Sequence, residues 1–249
     1  MVYYAISREI EPKIVGVTNG LSQLNGSDLY NNSNQWYREI LRAGFKGDNK
    51  SWLEKWVHHK DFAAKPLEGL VLEKKGKLTD YMEFNLRGFY VSNKLKSILE
   101  DAHLPPHVFQ PTVITSSKTK QEIEGFYWFA FDMDTGQKTV DFEKSEFTSK
   151  MFKNDTEESF TVTSYEDFMD VFYNTGRALR ATKLVFNKHF DNELDIIGTQ
   201  FLSTETYISE RLLKKWQEAG ITGYIARAPD VVKQRAEKFN DIYTELVFD

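Results

Sequence analysis

One phrase of this sequence occurs twice, and it constrains the fold more than any other feature. Residues 89–109 read FYVSNKLKSILEDAHLPPHVF, and residues 206–225 read TYISERLLKKWQEAGITGYI. Both copies begin with β-forming residues, continue through a serine and then place apolar residues at helical spacing. Each copy therefore predicts a strand, an amphipathic helix and a return strand. An offset of 117 residues aligns four identical pairs: Tyr90 with Tyr207, Ser92 with Ser209, Leu95 with Leu212, and Ala102 with Ala219.

The two serines stand where each predicted helix begins. A serine at the N-cap accepts a hydrogen bond from an amide of the first turn, so we expect Ser92 and Ser209 to start their helices. Gly220 is expected just after the second helix. The repetition is explained either by internal duplication or by shared capping and periodicity, because such units commonly cover one face of a sheet. The apolar face predicts four buried side chains: Leu95, Leu99, Leu212 and Trp216.

The remaining pattern predicts an α+β fold with mixed, mainly antiparallel sheets and amphipathic helices packed on them. The length of 249 residues suits one compact unit, residues 1–249. If the repetition is a duplication, residues 1–150 and 151–249 would form two related halves. Two further helices are predicted near the N-terminus, one in NQWYREILRAGF from residue 34 and one in SWLEKWVHHKDF from residue 51.

Three local patterns give sharper expectations. A β-hairpin is predicted from Phe126–Phe131, the turn DMDTGQ and a return strand Lys138–Phe142. Ser164 with Asp167 resembles a capping box that opens a helix. A terminal helix is predicted to start near Asp230. Its apolar face would be Val232, Ala236, Phe239, Tyr243 and Leu246.

Composition excludes several classes of protein. The chain has no cysteine, so thiolate metal sites, disulfides and cysteine nucleophiles are absent. Its N-terminus lacks the pattern of a signal peptide, and no apolar run approaches the roughly 20 residues that span a bilayer. A formal net charge of −5 disfavours nucleic-acid binding, which needs a basic surface. We expect a cytoplasmic protein that binds neither membranes nor nucleic acids.

Motifs for cofactors, metals and catalysis fail on inspection. GFKGDNKS, residues 44–51, has Asn49 where a phosphate loop needs glycine. DMDTGQKTVDFE has Gln137 where a calcium loop needs its glycine. No catalytic motif is present, so we expect no catalytic residue, no cofactor and no metal centre. The histidines are expected to be ordinary loop residues: His58, His59, His103, His107 and His189.

An acidic stretch is the candidate partner-binding site. Asp155, Glu157 and Glu158 lie in a polar run that looks like a solvated loop. Negative charge there would speed the encounter with a basic partner, because complementary charge raises association rates. Most such runs are only solvated, and that simpler interpretation stays open.

Three segments occur in order: an Asp-led stretch before a "vS-x-x-L" helix, a "D-[FY]-x-x-S-x-F" stretch and a C-terminal "[IV]S-x-x-L…AG-[IL]-TG" unit. Together they resemble a broad bacterial family of immunity proteins from polymorphic toxin systems. The resemblance covers about residues 78–226. The second motif falls on Asp141, Phe142, Ser145 and Phe147, and the third on Ile208, Ser209, Leu212 and residues 219–223.

The resemblance implies a binding protein that neutralises a cognate bacterial toxin, and it brings no catalytic residues with it. We therefore expect a binding protein that uses acidic and aromatic surface. An enzyme or a small-ligand-binding protein with an unrecognised pocket is the alternative. A deep polar cleft with converging carboxylates or histidines would favour the enzyme.

Overall fold

The computed structural model describes residues 1–18, 22–26, 66–83, 88–149, 157–175, 179–199, 201–202 and 206–249. The chain divides into two compact units. The first unit consists of Met1–Ile6, Met133–Arg211 and Ala226–Asp249, and the second of Ser7–Asp132 and Leu212–Ile225. The sheets are mixed or antiparallel, and helices accompany them, so the predicted α+β class is confirmed.

The described residues form the following strands, helices and sheets, with strands and helices numbered in chain order. The strands are β1 (Tyr3–Arg8), β2 (Leu24–Asn25), β3 (Leu67–Leu72), β4 (Tyr81–Met82), β5 (Phe89–Ser92), β6 (His107–Ser116), β7 (Glu122–Phe131), β8 (Glu146–Ser149), β9 (Glu158–Phe160), β10 (Leu179–Phe186), β11 (Ile196–Ile197), β12 (Thr206–Ser209), β13 (Tyr224–Arg227) and β14 (Glu245–Phe248). The helices are α1 (Pro12–Val15), α2 (Asn93–Glu100), α3 (Tyr165–Thr175), α4 (Glu210–Glu218) and α5 (Pro229–Phe239). Three sheets have the orders β2-β3-β6-β7-β5-β4, β14-β10-β8-β9 and β11-β12-β1-β13.

The second unit is built on a long antiparallel hairpin of β6 and β7, flanked by β3 and β5. The hairpin predicted between Phe126–Phe131 and Lys138–Phe142 is therefore wrong: β7 pairs with the strand before it. The true turn was not recognised because it carries no glycine. Lys120 adopts the left-handed conformation there, with φ 61°. The Ser116 hydroxyl supports the turn by accepting from the Thr119 amide at 3.2 Å.

The DMDTGQ segment forms a different kind of turn in the first unit. Asp134 accepts hydrogen bonds from the Gly136 amide at 2.9 Å and from the Thr139 hydroxyl at 2.6 Å. Val140 then makes an isolated antiparallel bridge to Phe186 in β10. Asp and Gly are thus used as turn residues, as the sequence indicated, but the residues after them do not return as a strand.

Helix α2 begins and packs as the sequence predicts. Ser92 is its N-cap, and its hydroxyl accepts from the Leu95 amide at 3.3 Å. Leu95 and Leu99 are fully buried. In α4, Leu212 and Trp216 are buried as predicted. Gly220 comes after that helix with φ 61°, and this left-handed residue closes the helix end.

The first unit has an aromatic core over the sheet β14-β10-β8-β9. Phe142, Phe147, Phe168 and Phe201 contact one another with ring centroids 4.7–5.8 Å apart. The packing is close: a Cβ at Gly136 would lie 2.1 Å from the Phe201 ring. Strand β10 pairs in parallel with β14 and antiparallel with β8.

The terminal helix begins at Pro229, close to the predicted start, but it ends sooner than predicted. Asn240 adopts the left-handed conformation with φ 53° and closes α5 after Phe239. Leu246 lies in β14, and Tyr243 lies in the connection before it. Both pack against the core of the first unit, so they are apolar for a reason unrelated to helical spacing.

The two copies of the repeated phrase make equivalent hydrogen bonds in addition to having similar sequences. An aspartate precedes each short strand, β4 and β11, which pairs antiparallel with the strand of the phrase. Asp80 accepts from the Ser92 hydroxyl at 2.6 Å, and its carbonyl accepts from the Ser92 amide at 2.9 Å. Asp195 makes the same two contacts with Ser209, whose amide donates at 2.9 Å. The helix of the phrase is therefore anchored to an aspartate in both copies.

Several expectations fall on residues outside the described part of the chain. These are the helices predicted from residues 34 and 51, the GFKGDNKS segment, and His58 and His59. Among the described residues, no helix combines the length and the apolar character needed to cross a bilayer.

Candidate functional site

An open cavity of about 690 Å³ lies in the first unit, beside the outermost described strand of its sheet, β9. Strands β8 and β9, joined by antiparallel pairing, contribute much of the lining. The described lining residues are Phe142, Glu143, Ser145, Glu146, Phe147, Thr148, Glu157, Ser159, Phe160, Thr161, Val162, Thr163 and Thr182. We call this cavity the acidic cleft, after Glu143, Glu146 and Glu157.

The three carboxylates of the acidic cleft are all exposed to solvent. No lysine or arginine occurs among the described lining residues. Lys183 lies opposite Glu146 in the β8–β10 register, but the two form no ion pair. The described lining therefore presents carboxylates that no described lysine or arginine pairs.

The motif DFEKSEF, residues 141–147, builds one wall of the cleft. Phe142 and Phe147 are buried and stack with ring centroids 5.8 Å apart. Ser145 fastens the wall, because its hydroxyl donates to the Asp141 carbonyl at 2.7 Å and accepts from the Val185 amide at 3.0 Å. The buried rings and this serine leave the glutamates between them facing solvent.

Two described basic residues near the cleft, Lys144 and Arg180, are occupied by other carboxylates. Lys144 contacts Asp249 at 2.6 Å and Asp141 at 3.0 Å. Its hydrogen bonds to Asp249 and then to Asp141 raise the pKa of Lys144 above its usual value. Arg180 is 3.4 Å from Asp241. These cations are therefore held by partners other than the cleft glutamates.

The far end of the cleft is tied to the start of α3. Thr163 donates its amide at 3.2 Å and its hydroxyl to the Asp167 carboxylate, and these bonds lower the pKa of Asp167. The Ser164 hydroxyl accepts from the Asp167 amide at 3.0 Å, which is one half of the predicted capping box. In the other half, the Asp167 carboxylate interacts with the backbone of Ser164 and, more strongly, with Thr163.

The three residues predicted to bind a partner, Asp155, Glu157 and Glu158, have three different outcomes. Glu157 lines the acidic cleft. Glu158 is exposed and begins β9, so the predicted loop is corrected to a strand at this residue, and Glu158 is not among the lining residues. Asp155 lies outside the described residues.

The sequence analysis missed Glu143 and Glu146 as site residues. Both are visible in the DFEKSEF motif as acidic residues set among buried phenylalanines. That they share a cavity with Glu157 depends on the β8–β9 pairing, in which Phe147 lies opposite Phe160.

The histidines do not form a metal centre in the described part of the chain. His107 was expected to be a loop residue, but it is the first residue of β6. Its ring lies 5.3 Å from the ring of Phe109. His103 and His189 lie outside strands and helices. No group of three or more histidine, aspartate or glutamate side chains among the described residues could hold a metal ion.

Fold and cleft together define an α+β protein with an open, acidic and aromatic surface. Comparison with protein families then identifies the chain. The sequence pattern of the immunity protein family Imm11 matches residues 44–227, which is most of the chain of 249 residues. The chain therefore belongs to this family. This confirms the resemblance to an immunity family. Comparison with curated proteins gives no match.

Proposed function

We propose that this protein is an immunity protein that neutralises a cognate toxin of a bacterial polymorphic toxin system by binding it in the cytoplasm. Membership of the immunity family over residues 44–227 is the observation that carries the proposal. Neutralisation by occlusion needs surface complementarity and no chemistry. The acidic cleft and the net charge of −5 suit a basic protein partner.

The alternative of an enzyme draws on the same cleft, because it contains carboxylates and hydroxyls. Two features favour binding over catalysis. No histidine occurs among the described lining residues, and no set of ionisable side chains in the described part of the chain converges closely enough to hold a metal. The glutamates are spread over an exposed surface, whereas acid–base catalysis needs groups positioned on one reacting atom.

The proposal is tested by producing the protein together with the toxin encoded beside its own gene. We expect bacteria that produce the toxin to grow only when this protein is also present, and the two purified proteins to form a complex by calorimetry. Calorimetry is needed beside the growth test, because an enzyme that destroyed the toxin or its product would rescue growth without forming a stable complex. Absence of a complex would contradict the proposed function.

A further inference from the structure

We propose that the acidic cleft receives a lysine- or arginine-rich segment of the toxin, an inference that rests on the proposed immunity function. Its first support is the charge of the lining. Glu143, Glu146 and Glu157 carry no ion pair within the described residues, and Lys144 nearby is bound to Asp249 and Asp141. Within the described residues, no internal ion pair would have to break before these carboxylates contact partner cations.

The arrangement of the carboxylates selects the kind of cation. They border a cavity of about 690 Å³, and no cluster among the described residues is tight enough for a single metal ion. Two of them belong to the segment leading into and starting β8, and the third precedes β9. A partner with several separate cationic side chains can meet carboxylates from two segments, whereas a lone divalent cation needs a tighter cluster than the described residues provide.

The apolar part of the lining suits the same side chains. Half-buried Phe160 lines the cleft together with the buried residues Phe142 and Phe147. Lysine and arginine have long aliphatic stems that pack on apolar surface while their charged heads reach polar groups. Their cations are also attracted to aromatic faces. An anionic partner, such as a nucleic acid or an acidic membrane, would meet repulsion at the same surface.

The position of the cleft suits an extended segment. Strand β9 is the outermost described strand of the sheet, and strand edges are common places for partner segments to bind. Ser159, Thr161 and Thr163 add hydroxyl groups that can accept hydrogen bonds from guanidinium or ammonium groups. A basic, extended segment thus matches the cleft in charge, in apolar contact and in polar contact.

The test compares two triple variants with the same change in charge. The cleft variant combines Glu143→Gln, Glu146→Gln and Glu157→Gln. The control combines Glu68→Gln, Glu122→Gln and Glu124→Gln, which are exposed residues of the second unit. Affinity is measured by calorimetry for the toxin encoded beside the gene and, separately, for a deca-lysine peptide. Circular dichroism and urea unfolding check that both variants remain folded.

We expect the cleft variant to bind both the toxin and deca-lysine about tenfold more weakly than the wild-type protein, because it loses three exposed charge contacts. The affinity of the control variant should change far less. Equal weakening in the two variants, or no binding of deca-lysine to the wild-type protein, would overturn the inference about the cleft. If the toxin binds the wild-type protein, the cleft variant and the control variant equally, the inference about the cleft is wrong while the immunity function is upheld. A toxin that binds none of them contradicts the immunity function, and deca-lysine still reports on the cleft.

Discussion

Ser145 joins two backbone segments of the first unit through one hydroxyl group. The hydroxyl donates to the carbonyl of Asp141, accepts from the amide of Val185 in β10, and stands one residue before β8. The wall of the acidic cleft therefore depends on a side chain whose hydroxyl group is bonded to the backbone of the protein itself. The serine of the DFEKSEF motif is explained by this structural role.

Ser145→Ala is expected to lower the free energy of unfolding by about 1–3 kcal/mol, because the Val185 amide loses its hydrogen-bond acceptor in a buried position. Urea unfolding measures the loss. Ser159→Ala is the control, because Ser159 is exposed in the same sheet, and we expect a change within about 0.5 kcal/mol. Equal effects of the two substitutions would show that the Ser145 bonds do not support the sheet.

Asp167 predicts a dependence of stability on pH. Its pKa is lower in the folded state than in the unfolded chain, so its ionised form stabilises the fold above the ordinary value of 3.8, and this contribution is lost as the pH falls through the lowered pKa. Asp167→Asn should therefore be less stable than the wild type at pH 7. The difference should shrink as urea unfolding is repeated below about pH 4.

Asp170→Asn is the matched control for that measurement, because Asp170 lies in the same helix and is exposed. Its effect should be small at every pH. A stability difference for Asp167→Asn that stays constant from pH 7 to the acid range would contradict the role of its carboxylate.

At the scale of single elements, α4 shows how one buried ring holds a helix. Trp216 is fully buried, with ring centroids 6.0 Å from Tyr81 and 5.0 Å from Tyr224. Its Nε1 atom has no hydrogen-bond partner among the described residues. The indole therefore acts through its volume and its ring contacts.

Trp216→Ala is expected to cost about 3–5 kcal/mol through the cavity it leaves. Trp216→Phe should cost clearly less, because it keeps a ring and loses no hydrogen bond within the described residues. Urea unfolding distinguishes the two. Lys214→Ala serves as the control, since Lys214 is exposed and its contact with Glu218 is 3.9 Å long. Equal costs for the phenylalanine and alanine variants would contradict the role of the ring volume, because only the phenylalanine variant keeps a ring.

Elements whose signals are local could be predicted from the sequence, and others could not. The Ser92 cap and the buried face of α2 depend on residues only a few positions apart, so the local sequence pattern predicted both. The β6–β7 hairpin turns at Lys120, a residue that rarely adopts positive φ, so no turn signal marked it. Leu246 continued a helical spacing by coincidence, because a parallel strand beside β10 also needs apolar residues.

The candidate site was predictable only in part, for the same physical reason. Glu157 belongs to an acidic run that is visible in the sequence. Glu143 and Glu146 join it through the pairing of β8 with β9, and such a register is set by tertiary contacts that a single sequence does not display.

At the scale of the whole molecule, both compact units are assembled from separate stretches of chain. The first unit needs residues 1–6, 133–211 and 226–249, and the second needs residues 7–132 and 212–225. Strand β1, helix α4 and strand β13 each contribute residues to both units. A cut in the middle of the chain therefore removes part of each unit.

Residues 1–150 and residues 151–249, produced separately, are expected not to fold. The first fragment lacks Trp216, and it also lacks β10 and β14 of the first unit. The second fragment lacks β8 and the DFEKSEF wall. Amide proton spectra of each fragment and of their mixture test this. Well-dispersed spectra from either fragment alone would show that a half of the chain is an independent domain.

The aspartate that holds the serine of each repeated phrase has a consequence for how this protein can change. Asp80 and Ser92 are 12 residues apart, whereas Asp195 and Ser209 are 14 apart, yet both pairs make the same side-chain and backbone bonds. The helix start is thus fixed by the two ends of the connection and not by its length. Such a connection can gain or lose residues without moving the helix behind it, so an immunity protein can diversify there, and an engineer can graft a foreign peptide there, while the scaffold stays in register.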